Sequence, residues 1–267
     1  MKQTIYQVDS FTNQPFSGNP AGVCILEKPA EESWMKAVAR EMNLSETAFL
    51  VPAEDGYNLR WFTPAVEVAL CGHATLASAH ILFETGKLQP DQEARFHTLS
   101  GLLTAKKAGD WLEMNFPATR EQTAEPPAEL AEALGVEPIY IGKNKFDYLV
   151  EVEGEEIVRS LKPDFTSLVR LPVRGVMVTS RANRESQEQG YDFVSRFFAP
   201  AVGVNEDPVT GSAHCCLAPF WGDRLGKTSL TAYQASPRGG TIRLRVEGDR
   251  VVLGGQAVTV IRGELYG

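Results

Sequence analysis

The sequence predicts an α+β protein of two similar halves, each a curved, mostly antiparallel sheet around a central apolar helix. Three observations lead to this prediction. Short strand-like segments joined by tight turns greatly outnumber helical ones. Two of the helical segments are apolar almost all round, and such a helix is stable only when protein surrounds it. A nine-residue pattern also occurs twice: Arg60–Val68 and Arg196–Val204 share six of nine residues, 136 positions apart.

Strand-like segments run through the whole chain. Turn signals such as Gly109-Asp110 and Gly248-Asp249 separate neighbouring segments, which is typical of hairpins. The predicted strands are Thr4–Asp9, Gly22–Leu26, Ala48–Val51, Tyr57–Phe62, Ala94–Leu99, Gly101–Lys107, Trp111–Phe116, Ile139–Gly142, Tyr148–Val152, Gly175–Thr179, Leu230–Gln234, Thr241–Val246, Arg250–Leu253 and Ala257–Gly263.

Three helices are predicted. Ala30–Met42 has acidic residues in its first turn and one apolar face. That face comprises Trp34, Ala37, Val38 and Met42. His73–Gly86 and Ser212–Leu225 lack a polar face, so each is expected to be the buried centre of its own sheet.

The repeated pattern divides the chain. Each copy leads to a glycine that opens an apolar helix, Gly72 in the first half and Gly211 in the second, which indicates duplication with a pseudo-two-fold axis. The polar, proline-rich segment PATREQTAEPP separates the halves. We therefore predict one domain at 1–116, joined by the final strand 257–267, and a second at 117–256, with the active site between them.

The composition narrows the function classes. Of 267 residues, 43% are hydrophobic and 22% charged, as in ordinary globular proteins. Acidic residues outnumber basic ones by 34 to 26 and no basic cluster occurs, which disfavours nucleic acid or an anionic membrane as partner. The start, MKQTIYQVDSF, lacks the apolar run of a signal peptide. A cytoplasmic protein is therefore expected, with Cys24, Cys71, Cys215 and Cys216 reduced.

The two glycine-opened helices are candidate binding sites for a carboxylate. First-turn N–H groups have no partner within the helix, and the helix dipole favours an anion there. Gly72, Gly211 and the Ser212 hydroxyl would together hold a substrate carboxylate. The alternative is that these small residues only begin tightly packed helices.

Three ionisable residues are candidates for the chemistry. Glu46 follows a turn and has apolar neighbours, which would raise its pKa and suit a general acid/base, although a glutamate there is also common at helix starts. His73 could donate to a substrate oxygen or be a core histidine. Asp207 could accept from a substrate amine, orient His73, or serve as a turn residue before Pro208.

The sequence gives little support for a metal site, a nucleotide-binding site or a nucleophile elbow. Cys71-Gly72-His73 and His214-Cys215-Cys216 offer zinc-type ligands, but neither has the spacing of a structural zinc site, and no metal is predicted. The chain has no phosphate loop, dinucleotide fingerprint or nucleophile elbow.

Several motifs resemble those of a known family. SFTNQPFSGNPAGV, NLSETAFL, RWFTPAVEVALCGHATLA, YDFVSRFFAP and NEDPVTGSAH are similar to the PhzF-like proteins, named for an isomerase of phenazine biosynthesis. The likeness runs from about Tyr6 to the C-terminal strands. It implies the diaminopimelate-epimerase-like fold, a homodimer, no cofactor and isomerase activity on a small molecule. It also implies site residues: catalytic Glu46, His73 and Asp207, with Gly72, Gly211, Ser212 and Asn19 binding the substrate.

One departure from the epimerase branch limits the possible reactions. Those enzymes use two cysteines, one from each half; Cys71 matches the first, but Thr210 occupies the place of the second. We therefore expect Glu46 to remove a proton from a small carboxylated metabolite, cyclic or amino-acid-like, and to return it at another carbon. The alternatives are an epimerase or racemase that uses Cys71 with Glu46, and a non-catalytic protein that binds small anions.

Overall fold

The computed structural model describes residues 2–266, which form two compact units. The first comprises residues 2–115 and 254–266, and the second comprises Phe116–Leu253. The chain thus returns to the first unit for its last strand.

The elements follow one another as many short strands and few long helices. In chain order they are β1 (Lys2–Ser10), β2 (Asn19–Ile25), α1 (Glu32–Met42), β3 (Glu46–Ala53), β4 (Gly56–Phe62), β5 (Glu67–Val68), α2 (Gly72–Glu84), β6 (Glu93–Thr98), β7 (Gly101–Ala108), β8 (Trp111–Pro117), β9 (Gln122–Thr123), α3 (Glu129–Leu134), β10 (Tyr140–Lys143), β11 (Asp147–Glu151), α4 (Glu155–Ser160), α5 (Phe165–Leu168), β12 (Gly175–Arg181), α6 (Arg184–Glu188), β13 (Phe193–Ala199), a 3₁₀ turn (Pro200–Val202), β14 (Val204–Asp207), α7 (Gly211–Leu225), β15 (Ser229–Gln234), β16 (Gly240–Glu247), β17 (Arg250–Gly255) and β18 (Ala257–Tyr266).

The first unit is a mixed sheet around α2. Its strands pair in the order β18-β1-β2-β3-β4-β6-β7-β8, antiparallel except for the parallel pairs β2–β3 and β4–β6. The short strand β5 pairs with the end of β4 that β6 leaves free. Nine of the 13 residues of α2 are buried, as its apolar sequence predicts, and the helix packs on β1, β2, β3 and β18.

A second core of this unit lies under α1. Met35, Val38 and Ala39 are the buried residues of that helix and pack with Phe49 and Phe62. The predicted apolar face was wrong at Ala37, which is exposed. Met35, Val38 and Ala39 follow the i, i+3, i+4 spacing of one helix face, and Ala37 lies on the opposite side of the helix.

The second unit repeats the same pairings. Strands β11 and β12 are parallel, β12 and β13 antiparallel, β13 and β15 parallel, and β15 and β16 antiparallel, with β14 added to β13 as β5 is added to β4. The helix after β14, α7, has 11 of its 15 residues buried. The duplication visible in nine residues of sequence therefore extends over the topology of each unit.

An ion pair is duplicated together with the strands. Arg60 on β4 binds the Glu67 carboxylate on β5 with two nitrogens, and Arg196 on β13 binds Glu206 on β14 in the same way. The Arg196 guanidinium also donates to two backbone carbonyls, those of Val158 and Leu161. Each pair holds the short strand from which the chain enters the buried helix of that unit.

The sequence missed elements that carry no periodic signal. Strand β13 was not among the predicted strands, because all seven of its residues are buried, including Ser195 and Arg196, and apolar and polar residues do not alternate along it. The helices α3 to α6 are only four to six residues long, too short for a 3.6-residue pattern to be visible. Within residues 2–266 no helix has the length and apolar content needed to cross a bilayer.

Candidate active site

Three chemically active side chains meet in the first unit. Glu46 begins strand β3, Cys71 is the residue immediately before α2, and His73 lies in the first turn of that helix. Their carboxylate, thiol and imidazole atoms all lie within 4.8 Å of one another. The fold thus brings two predicted catalytic residues, Glu46 and His73, next to the thiol of the rival hypothesis.

The imidazole of His73 lies between the other two groups. Its Nε2 is 3.2 Å from Oε2 of Glu46, and its Nδ1 is 3.5 Å from Sγ of Cys71. The Nε2 contact is short but not well aligned for a hydrogen bond. Such contacts commonly become linear only when substrate binds.

Burial sets the protonation state of His73. Its side chain is only 7% exposed, and this burial lowers the pKa of His73 to about 3. The imidazole is therefore neutral at pH 7, with one N–H donor and one acceptor nitrogen. The Glu46 side chain is more open, at 18% exposed, as a base that must reach a substrate requires.

Hydrogen bonds fix the start of α2. The Ser10 hydroxyl donates to the carbonyl of His73 at 2.8 Å, and the Thr75 hydroxyl donates to the carbonyl of Cys71 at 2.5 Å. The residue before the helix does not cap its first turn, which begins at Gly72. The N–H groups of that turn are consequently directed out of the helix end, as an anion site requires. The sequence gives no sign of this role for Ser10, because a serine at a strand end carries no distinctive signal.

Asn19 lies at the same end of the sheet. It is fully buried, begins β2 and pairs with Ser10 across the strands, while Ala21 of β2 is the register partner of Glu46. The loop before it is fixed at Gly18, whose φ is +66° and where a Cβ would lie 2.2 Å from the Ser10 carbonyl oxygen. Only glycine fits there, so the loop delivers Asn19 in one conformation.

The remaining predicted residues lie together at the start of α7 in the second unit. Asp207 ends β14, Thr210 immediately precedes the helix, and Gly211 is its first residue, followed by half-buried Ser212. The Thr210 hydroxyl donates to Oδ2 of Asp207. Thr210, which the resemblance places where the epimerases carry their second cysteine, thus serves here as a hydrogen-bond donor to a carboxylate.

A buried glutamine that sequence analysis missed holds this turn. Gln234 is fully buried; its Oε1 accepts from the Thr210 N–H at 2.8 Å, and its Nε2 donates to the carbonyl of Asp207 at 2.7 Å. The Ser236 hydroxyl donates to the carbonyl of Pro208 at 2.7 Å. One glutamine at the end of a predicted strand gives no sign of such a role, because its partners are 24 to 27 residues away.

The second candidate zinc cluster is part of the core. His214 lies 2.8 Å through Nδ1 from the Thr210 carbonyl and 3.4 Å through Nε2 from the Ser195 hydroxyl, and its ring stacks on Phe193. Among residues 2–266, the group that could offer three ligands to one ion is Glu46, Cys71 and His73. Because His73 turns a different nitrogen to each neighbour, this arrangement favours a hydrogen-bonded relay.

Comparison with known proteins decides the family. The profile of the family described as phenazine biosynthesis-like protein, PhzC-PhzF, matches residues 8–263. The chain belongs to the PhzC-PhzF family. An uncharacterized isomerase of Halalkalibacterium halodurans is 55% identical to it, with 99% of each chain covered. The crystal structure of a PhzF-family protein from Enterococcus faecalis superposes with a TM-score of 0.94 at 41% identity, over 100% of both chains.

The fold prediction is confirmed by a more distant relative. A probable proline racemase from Agrobacterium radiobacter shares only 13% identity with this PhzF-family chain, yet it matches with a TM-score of 0.66 over 99% of this chain and 93% of that one. This likeness shows the shared α+β racemase and epimerase fold. With isomerases among its curated relatives, the protein is an isomerase of the PhzF-like class.

The thiols of this PhzF-family protein should differ sharply in reactivity. Burial raises the pKa of Cys24, Cys215 and Cys216 to about 12 each, so their thiolate fraction at pH 7 is about 10⁻⁵. We expect iodoacetamide to label Cys71, beside the His73 imidazole, ahead of the other three in the native protein. Peptide mass spectrometry over a time course measures this order, and early labelling of a helix α7 thiol would contradict it.

The two buried histidines should make stability fall with acidification. Burial lowers the pKa of His73 to about 3 and that of His214 to about 4, from an ordinary value of 6.5. Between these values the unfolded chain binds protons that the folded one does not, so the free energy of unfolding decreases as pH falls from 6.5 towards 4. Each histidine contributes at most about 1.4 kcal/mol per pH unit. His214→Gln should reduce the slope by about that amount in urea unfolding experiments at several pH values. An unchanged slope would show that His214 does not contribute to the pH dependence of the free energy of unfolding.

Proposed function

We propose that this PhzF-like isomerase moves a proton between two carbons of a small carboxylated metabolite, with Glu46 as the single acid/base and no cofactor. The observation that carries the proposal is the cluster of Glu46, His73 and Cys71 beside the uncapped start of α2. It combines a partly exposed carboxylate, a neutral imidazole and a set of N–H donors for an anion.

The size of the cluster separates one-base from two-base chemistry. A two-base racemase needs groups on opposite faces of one carbon, each about 3–3.5 Å from it, and therefore about 6–7 Å apart. The reactive atoms of Glu46, His73 and Cys71 lie within 4.8 Å of one another. This spacing leaves no room for a carbon between the groups, so in the proposed mechanism Cys71 and Glu46 lie on the same side of the substrate. This favours the proton shift over the epimerase that pairs Cys71 with Glu46.

The proposed reaction returns the enzyme to its starting protonation state. The Glu46 carboxylate takes a proton from an acidic C–H bond, and the electron pair of that bond moves into the conjugated system of the substrate. The Glu46 carboxylic acid then returns the proton to a second carbon along that system and becomes a carboxylate again. The start of α2 at Gly72 binds the substrate carboxylate and so holds the substrate in place during both proton transfers. The nearby Nε2 of His73 orients Oε2 of Glu46.

Other members of the site stay predictions. Asn19, Asp207, Gly211 and Ser212 are proposed to contact the substrate, as the family resemblance implies. We also propose that the protein works in the cytoplasm as a homodimer, as the family resemblance implies.

Deuterium incorporation into a panel of candidate carboxylates tests the proposal. Unsaturated ring carboxylates and cyclic amino acids, including proline and trans-4-hydroxy-L-proline, are incubated with the protein in D₂O and followed by ¹H and ²H NMR. The proposal expects deuterium at a new carbon together with a shifted double bond. Exchange at a stereocentre with loss of configuration would support an epimerase instead. Binding of these acids without any exchange would support an anion-binding protein.

A further inference from the structure

Cys71 occupies a central place in the cluster, yet the proposed proton shift gives it no task. We propose that Cys71 is a positioning residue: its thiol donates to Nδ1 of His73 and thereby keeps the ring proton on Nε2, facing Glu46. The catalytic value of this arrangement rests on the proposed function, whereas the tautomer itself does not.

The backbone of this turn fixes both side chains. The hydrogen bond from Thr75 holds the carbonyl of Cys71, and the one from Ser10 holds the carbonyl of His73. Cys71 is in extended conformation, with φ −146° and ψ 111°. The two side chains that form the 3.5 Å contact between Sγ and Nδ1 therefore extend from a backbone that is held in place.

The donors and acceptors match in only one tautomer. A neutral imidazole has one N–H and one acceptor nitrogen. With the proton on Nε2, the thiol donates to Nδ1 and the N–H faces the Glu46 carboxylate. With the proton on Nδ1, sulfur would have to act as acceptor, and the lone pair of Nε2 would face a carboxylate oxygen at 3.2 Å, which is repulsive.

The thiol matters most when Glu46 carries the proton. An ionised Glu46 alone favours the Nε2–H tautomer, because hydrogen bonds to a charged group are about twice as strong as neutral ones. Once Glu46 has accepted the substrate proton, this preference disappears. The thiol then keeps the ring from changing tautomer, so that the carboxylic acid gives its proton to the substrate and not to Nε2.

The equivalent position in the other unit supports this role. Thr210 precedes α7 as Cys71 precedes α2, and neither side chain caps its own helix. Threonine is normally a good cap for the first turn. Here its hydroxyl donates to Asp207, just as the Cys71 thiol contacts His73. In both units the residue before the helix orients a site side chain and leaves the first-turn N–H groups for a ligand.

The ¹⁵N chemical shifts of the His73 ring report its tautomer directly. Protein labelled with ¹⁵N-histidine is studied at neutral pH by two-bond ¹H–¹⁵N correlation, with the His73 signals assigned from His73→Asn. Glu46→Gln serves as the mimic of the protonated carboxyl: its amide can accept from or donate to Nε2, so no charge selects the tautomer there and the effect of the thiol becomes measurable. Cys71→Val suits the extended backbone and removes the donor, and Cys71→Ser restores a donor.

The proposal expects the Nε2–H tautomer in the unaltered protein and in Glu46→Gln. Adding Cys71→Val to Glu46→Gln should lower the ratio of Nε2–H to Nδ1–H about fivefold, the effect of one hydrogen bond, and Cys71→Ser should restore it. An unchanged ratio in the Val double variant, or an Nδ1–H tautomer in the unaltered protein, would overturn the proposal. Deuterium exchange on the carboxylate panel is scored separately, so loss of the proposed function is distinguishable from loss of the tautomer control.

Discussion

Glu46→Gln should slow deuterium exchange into a responsive carboxylate by roughly 10²–10⁴-fold, the usual contribution of a general acid/base. An amide has nearly the shape of the carboxylate but cannot take a proton from carbon at neutral pH. The side chain begins β3 and is partly exposed beside His73, so the substitution should leave the fold intact. Substrate affinity should change little, because in the proposed mechanism the start of α2 holds the anion. The comparison of kcat with KM by NMR over several substrate concentrations measures both effects.

The turn that follows this strand provides a matched control. Glu54 lies exposed in the turn that connects β3 to β4. Glu54→Gln makes the same chemical change away from the cluster and should retain the full exchange rate. If Glu46→Gln and Glu54→Gln exchange equally fast, Glu46 is not the base and the proposed mechanism is wrong.

Arg196→Met should destabilise the protein by about 3–5 kcal/mol, as expected when one partner of a buried ion pair is removed. The Arg196 and Glu206 side chains are only 9% and 15% exposed. The substitution leaves the Glu206 carboxylate without its cation and removes a donor from two backbone carbonyls. Methionine retains the apolar stem, so the loss reports the guanidinium contacts. Equilibrium urea unfolding, followed by circular dichroism, measures the change.

The duplication supplies the control for this experiment. Arg60 stands at the equivalent position and binds Glu67 with the same two-nitrogen geometry, but its side chain is 36% exposed. Water can replace the lost contacts there, so Arg60→Met should cost about 1 kcal/mol or less. Equal losses in the two variants would show that burial does not decide the strength of these pairs.

Local patterns allowed much of the fold to be predicted. The apolar sequences of α2 and α7 predicted that both helices are buried, and the repeat around Arg60 and Arg196 predicted two similar halves. Motifs pointed to Glu46 and His73, which lie together. The prediction failed at β13, because complete burial removes alternation. It also failed at Ala37 of α1, because this apolar residue lies on the side of the helix opposite the buried Met35, Val38 and Ala39.

By itself, the sequence determined the architecture of each unit, the family and the residue types that carry the chemistry. These follow from periodicity and from motifs, which are properties of neighbouring residues. Only the tertiary structure decided that Cys71 lies within 4.8 Å of Glu46, that Ser10 anchors the turn at His73, and that Gln234 holds the turn before α7. These contacts join residues 24 to 63 positions apart, and their distances and directions are set by strand register, which no local pattern encodes.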